Sequence, residues 1–238
     1  MFQTDPFSLI VLFVGLSLLP FVAMIATSYL KIVVVMSLIR NALGIQSIPP
    51  NMVINALAMI LTFYIMAPIM GESWNIAKTE LSKAPVSAAS TARPAGGVQA
   101  AAASAGGRWF ETDAVAKAAE PFRVFLAKHT TPRERAFFVK TAEQLWGKDG
   151  EPAKVDAESF YILIPSFCVS ELTKAFQIGF LVYLPFIAID IIVSNILLAM
   201  GMMMVSPVTI SLPFKLLLFV MVNGWTLLIQ GLVRGYVI

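Results

Sequence analysis

"FLVYLPFIAIDIIVSNILLAMGMMMVSP", Phe180 to Pro207, carries a single charge, Asp190, in 28 residues. A run this apolar exceeds the roughly 20 residues that cross a hydrocarbon core, and it reads as a membrane-type helix. Its end raises the sharper question. Four methionines and a glycine, Met200 to Met204, separate it from a second apolar run, and Ser206 with Pro207 end the helix and hold the methionines at a turn. Methionine is flexible and polarizable, so it fills irregular gaps and closes against variable surfaces. The ordinary reading of such a run is a greasy helix end against lipid or a partner helix.

The rest of the chain agrees with the membrane reading. Of 238 residues 58% are hydrophobic and only 13% charged, with a mean hydropathy of +0.80; a soluble domain is about one quarter charged. Of the 17 Lys and Arg, 12 lie between Glu72 and Ser159, as do 11 of the 14 acids. The net charge of +3 does not point to nucleic acid, because the hydrophilic segment is nearly balanced and contains no basic run interleaved with aromatics. One cysteine, Cys168, excludes an intrachain disulfide and a cysteine metal pair, and it reads as a small buried hydrophobe. The start is apolar, but Asp5 comes first and Lys31 is the first cation, so it is expected to be retained rather than cleaved as a signal.

Three regions follow: hydrophobic helices over 1–71, a hydrophilic lobe over 72–159, and a hydrophobic helical region over 160–238. Phe7 to Leu30 predicts one spanning helix kinked at Gly15 and Pro20. The apolar pattern continues through "KIVVVMSLIRNALG" to a stop at Gly44 and a turn at "SIPPN", and Met52 to Met70 is a second uncharged stretch. Ala84 to Gly107 is low in complexity and reads as a flexible insert. "DAVAKAAEPFRVFLAKH" and "TPRERAFFVKTAEQLW" predict short amphipathic helices. Thr131, Pro132 and Glu134 give the second a capping box with Pro at its first position, and Phe137, Phe138, Leu145 and Trp146 its buried side. Pro165, Pro185, Pro207 and Pro213 punctuate the last region, where "YLPFIAID" and "SLPFKLLL" echo each other as two hairpins would. Arg40, with Lys31 behind it, places the loop from Gly44 to Asn51 in the cytoplasm and the lobe on the other side of the membrane.

Lys31, Arg40, Glu171, Lys174, Asp190 and Lys215 interrupt apolar sequence. A charge at the bilayer centre costs about 3 kcal/mol on insertion scales, so such residues pair, face a wet cavity or stay out of lipid. Glu171 and Lys174 share a helix face. Lys215 has no acid nearby and needs Glu171 or Asp190 from elsewhere, in this chain or a neighbouring subunit; the favoured pairing is a buried Glu171–Lys215 ion pair that sets assembly register. Both groups could equally snorkel to an interface. Catalysis has little support: His129 is the one histidine, on a helix end that reads as solvated, and H-E-x-x-H, G-x-S-x-G and phosphate-binding glycine loops are absent. Asp190 alone is a candidate proton-relay carboxylate.

"SLIRNALGIQSIPPN", "SELTKAFQIGFLVYLPFIAIDIIVSNILLAMGMMMVSP" and "ISLPFKLLLFVMVNGW" resemble the FliP/SctR family of type III secretion export-gate proteins, in its injectisome branch more than its flagellar one. The likeness covers nearly all of the chain outside Ala84 to Gly107. It implies an all-α inner-membrane subunit of kinked hydrophobic hairpins with a small periplasmic helical lobe, no cofactor and no bound metal. It implies a pentameric ring that joins small Q/S-type and R/T-type subunits, with U-type switch and V-type export-gate proteins as further partners and unfolded proteins as cargo. It further implies that much of the apolar surface meets partner subunits above the bilayer rather than lipid. By position Met202, Met203 and Met204 carry the family's gasket, and Glu171, Lys215, Lys174 and Asp190 its intersubunit charge contacts. A ring of flexible apolar side chains excludes ions by dewetting and deforms around an unfolded chain. The rival reading is a small-solute or ion permease that couples through Asp190 and Glu171; a purely structural scaffold would leave Met202 to Met204 freely replaceable.

Overall fold

The computed structural model of the protein describes residues 6–45, 48–83, 112–147 and 154–237; the Ala84 to Gly107 insert lies outside the described residues. Among the described residues every regular element is a helix. They are α1 (Pro6–Ile25), α2 (Tyr29–Ala42), α3 (Asn51–Lys83), α4 (Thr112–His129), α5 (Pro132–Trp146), α6 (Phe160–Ala199), α7 (Pro207–Met221) and α8 (Gly224–Val237).

α2 is the helix the others wrap. Ile32, Val35, Met36, Ile39 and Ala42 are buried at the three- and four-residue spacing of one helix face. They pack with Ile54 and Ala58 of α3, Ala175 and Phe186 of α6, Phe219 of α7 and Leu232 of α8. α2 and α6 lie close at Gly179, where a Cβ would stand 2.3 Å from Leu38 Cδ1 and 3.2 Å from Leu38 Cβ, so a larger residue there requires the Leu38 side chain to shift. A second core joins the lobe to the long helices: Phe125 and Leu126 of α4 meet Met66 of α3, Leu163 and Phe167 of α6 and Tyr236 of α8.

α3 and α6 are long and apolar enough to cross a membrane, and the α1–α2 and α7–α8 pairs, bent by 57° and 59°, pass the same test as broken spans. At about 1.5 Å per residue the 40 residues of α6 reach about 60 Å, twice a hydrocarbon core of about 30 Å. The all-α expectation of kinked hydrophobic hairpins is met, but the breaks sit elsewhere than expected. α1 runs through Pro20, and the first break falls at Ala26–Ser28, where Thr27 Oγ1 accepts the Tyr29 N–H at 3.4 Å and offers the backbone an alternative to the helix. Pro165, Pro185 and Pro213 lie inside α6 and α7; of the four C-terminal prolines only Pro207 starts a helix. α3 continues unbroken past residue 71, alongside the lobe.

Local stop signals act where expected. α2 ends at Ala42 with Gly44 at φ +76°, and Arg40 closes the following turn by donating to Pro49 O at 3.4 Å and to Asn51 Oδ1. α5 begins with Pro132 at its first position after Thr131. Its capping bond does not form, because Thr131 N and Oγ1 both turn to Ser170 Oγ at 3.0 Å, which docks the α4–α5 turn on α6. The burial expected for α5 is corrected: the helix buries Ala142, while Phe137 (58%), Leu145 (74%) and Trp146 (52%) are exposed. Phe138, the fourth residue expected on the buried side, is half-buried. Cys168 is half-buried, its Sγ 3.8 Å from Ile25 O, rather than fully inside.

Candidate functional site

The methionine turn is built by two caps. Met200 is the C-cap of α6, and Gly201 takes φ +73°, a left-handed conformation that glycine adopts without the Cβ penalty. Gly201 N–H donates to Leu198 O and Met202 N–H to Leu197 O, both at 3.0 Å, which satisfies the last carbonyls of α6 in a Schellman motif. Four residues beyond Met202, Ser206 stands at the N-cap position of α7 without a side-chain capping bond, and Pro207 opens the helix with the fixed φ that suits a helix start. Between the caps Met203 N–H donates to Gly201 O at 3.0 Å and Val205 N–H to Met202 O at 3.4 Å. The side chains go outward: Met202 is 43% exposed, Met203 82% and Met204 102%. The turn is thus defined in its backbone and free in its side chains.

The interrupting charges form two clusters. In the first, Glu171 of α6 is fully buried and Lys31 of α2 nearly so. Lys31 Nζ lies 3.2 Å from Glu171 Oε2, Lys174 Nζ lies 2.9 Å from Oε1, and the Tyr236 hydroxyl donates to Oε2. Lys31 Nζ also sits 4.0 Å from the centroid of the Tyr236 ring, a cation–π contact. Lys174 Nζ donates to His129 O at 2.7 Å, a cation on the last carbonyls of α4. One turn of α6 therefore ties together α2, the end of α4 and the end of α8. In the second cluster Lys215 Nζ stands 2.6 Å from Asp190 Oδ2, and Ser211 Oγ donates to Asp190 Oδ1 at 2.5 Å. Lys215 Nζ also donates to Ala42 O at 3.4 Å at the end of α2. This joins α6 and α7 behind the methionine turn.

Two expectations are corrected here. The favoured Glu171–Lys215 pair does not form within the chain: Lys215 takes Asp190, and Glu171 takes Lys31 and Lys174. Lys215 was expected to need Glu171 or Asp190, and packing brings it Asp190, across the hairpin that the methionine turn closes. His129 is 8% exposed rather than solvated, held between Phe125 at 4.7 Å and Tyr236 at 5.1 Å between ring centroids. Burial pulls its imidazole down to about 4, against the pull of Glu171 in the other direction. Tyr236 is the site residue the sequence did not single out. Its signal was available only as the four-residue spacing of Leu232 and Tyr236, the two buried residues of α8.

With this geometry in place the chain can be set beside known proteins. The model of the FliP family matches residues 12–232. The chain belongs to the FliP family. As a FliP family member it is 47% identical over 233 residues to the Yop proteins translocation protein R of Yersinia pestis, which covers 98% of this chain and 97% of that protein. It is 44% identical to the hypersensitivity response secretion protein HrcR of Ralstonia nicotianae, with 96% of each covered. The flagellar biosynthetic protein FliP of Pectobacterium carotovorum is 38% identical, over 95% of this chain and 77% of that one. The FliP family match spans the methionine turn, the Asp190–Lys215 cluster and, of the first cluster, Lys31, Glu171 and Lys174, and ends before Tyr236.

Proposed function

We propose that this FliP family chain is a channel-forming subunit of a type III secretion export apparatus in the bacterial inner membrane, and that Met202, Met203 and Met204 seal its pore. The observation that carries the sealing role is the turn itself: three consecutive methionines, capped on both sides and exposed in the single chain. Exposing three apolar side chains to water is unfavourable, so they belong against each other, against a partner or around a translocating chain. Thioether side chains repack against any sequence, which suits an unfolded polypeptide. Relatives named for translocation and for secretion support the class of cargo.

In this reading copies of the chain form a pentameric ring with the Q/S-type and R/T-type subunits, and U-type and V-type proteins act beside it. The lobe, residues 72–159, faces the periplasm, and the driving energy comes from partners. Broad apolar exposure along α3, α6 and α7, from Phe63 at 61% to Phe180 at 62% and Val220 at 69%, fits a subunit completed by neighbours. The permease alternative has less support. Glu171 is fully buried among two lysines and a tyrosine hydroxyl, and Asp190 is held by Lys215 and Ser211, so each carboxylate is already neutralised.

The test uses cells with the complete apparatus in which Met202, Met203 and Met204 are replaced by Ala. Ion leak with secretion retained is expected. An assembled variant without leak and with normal secretion would remove the sealing role.

A further inference from the structure

A cavity of about 690 Å³ lies where α1, α3, α4 and α6 meet, under the bend at Ala26–Ser28. Met24, Met59, Met66 and Met70, four of the 12 methionines of the chain, share its wall with Phe122 and Phe160. The hydroxyl-bearing side chains of its lining are Thr27, Thr62 and Tyr29; Thr62 donates to Ala58 O at 2.7 Å, and Thr27 accepts the Tyr29 N–H at 3.4 Å. We propose that this cavity binds one acyl chain of a membrane phospholipid.

Three properties select that occupant. The first is chemistry. An apolar cavity stays dry, and an extended peptide would bring N–H and C=O groups that this wall leaves unpaired. The second is size. A methylene takes up about the volume of a liquid water, about 30 Å³, so the space holds on the order of twenty such groups. A helix about 10 Å across would fit for less than two turns. The third is position. α4 runs beside the C-terminal half of α3, from the Lys117–Glu80 pair to Leu126 against Met66. Beyond Met66, towards Asn51, α3 presents Phe63 (61%), Met59 (49%) and Met52 (81%) outward. Met59 and Phe63 belong to both the cavity and that outer surface, so the cavity is continuous with the lipid-compatible face at the level where the hydrophilic lobe ends. Methionine walls accommodate a flexible chain in many conformations. The proposal is independent of the sealing role of the methionine turn.

The experiment reconstitutes the assembled complex, with the full chain, in vesicles of phosphatidylethanolamine and phosphatidylglycerol containing a small fraction of phosphatidylcholine with a diazirine at the end of one acyl chain. After illumination, adducts are mapped by mass spectrometry. Adducts are expected on the peptides that carry Met59 to Met70 and Ala119 to Leu126. In Ala119→Trp, which fills the space from one wall, these adducts should fall at least fivefold while those elsewhere on the complex persist. Thr62→Phe serves from the opposite wall if Ala119→Trp does not assemble. Absence of adducts on these two peptides in the unaltered complex would overturn the proposal, as would equal labelling in the filled variant. Oxidative capture of a partner subunit by Met59→Cys, in place of lipid labelling, would assign the cavity to a protein segment and overturn it as well.

Discussion

Replacing Glu171 by Gln removes the one negative charge on which α2, α6 and α8 converge. Its carboxylate is fully buried and lies 3.2 Å from Lys31 Nζ and 2.9 Å from Lys174 Nζ. At an effective dielectric of about 20, unit charges 3.2 Å apart attract by about 5 kcal/mol. Desolvation of both groups offsets much of that. Removing one partner still costs about 3–5 kcal/mol, because the other stays buried without compensation. Lys31 is the cation left behind: its side chain is 5% exposed, whereas Lys174, at 37%, can turn to solvent. Against a total stability of about 5–15 kcal/mol, Glu171→Gln should lower both the amount of assembled complex and its unfolding midpoint severely. Adding Lys31→Met to Glu171→Gln removes the stranded charge and should restore about 1–3 kcal/mol, read as coupling in a double-mutant cycle by denaturant unfolding of the purified chain. A double variant no more stable than Glu171→Gln alone would refute the pairing. The exchange Glu171→Lys with Lys215→Glu should rescue nothing, since these residues sit in separate clusters; restored assembly would refute the partner assignment.

Gly201→Ala forces a Cβ into a left-handed position and should cost about 1–2 kcal/mol locally, seen as roughly tenfold faster amide exchange at Met202, while Gly71→Ala, with open space around its Cβ, leaves that exchange unchanged. Thr131→Ala keeps the backbone N–H bond to Ser170 Oγ and should lose about 1 kcal/mol through the Oγ1 bond rather than through helix capping, so its effect should largely vanish in a Ser170→Ala background, measured by unfolding of the single and double variants. His129 is held at about 4 in the folded chain against about 6.5 when unfolded, so between those values the unfolded state binds the extra proton. The stability present above pH 6.5 should therefore fall as pH drops towards 4, with a slope of at most one proton; His129→Gln should flatten that slope, followed as unfolding midpoint against pH.

Much of the fold was legible in the sequence because its signals are local. A charge-free run longer than a bilayer is thick can only be a helix with its backbone bonds satisfied internally, so the all-α class followed from hydropathy. Gly44, Pro132, Gly201 and the Ser206–Pro207 pair act on their own backbone, and each ends or starts a helix where its chemistry requires. Local signals could still mislead. Pro20 read as a kink in one helix from Phe7 to Leu30 and Pro165, Pro185 and Pro213 as punctuation; all four lie inside helices, and the first break falls instead at Ala26–Ser28.

The partners of the lone charges were not local. Lys31 and Glu171 are 140 positions apart and Asp190 and Lys215 are 25, and a charge in apolar sequence announces that it needs a partner without naming one. Which cation faced which acid was decided only when α2, α6, α7 and α8 packed, as was the burial of His129 beneath Tyr236 and the outward turn of Phe137, Leu145 and Trp146. Periodicity along one helix identifies an apolar face; whether that face meets this chain, another subunit or lipid depends on what the remaining helices leave uncovered.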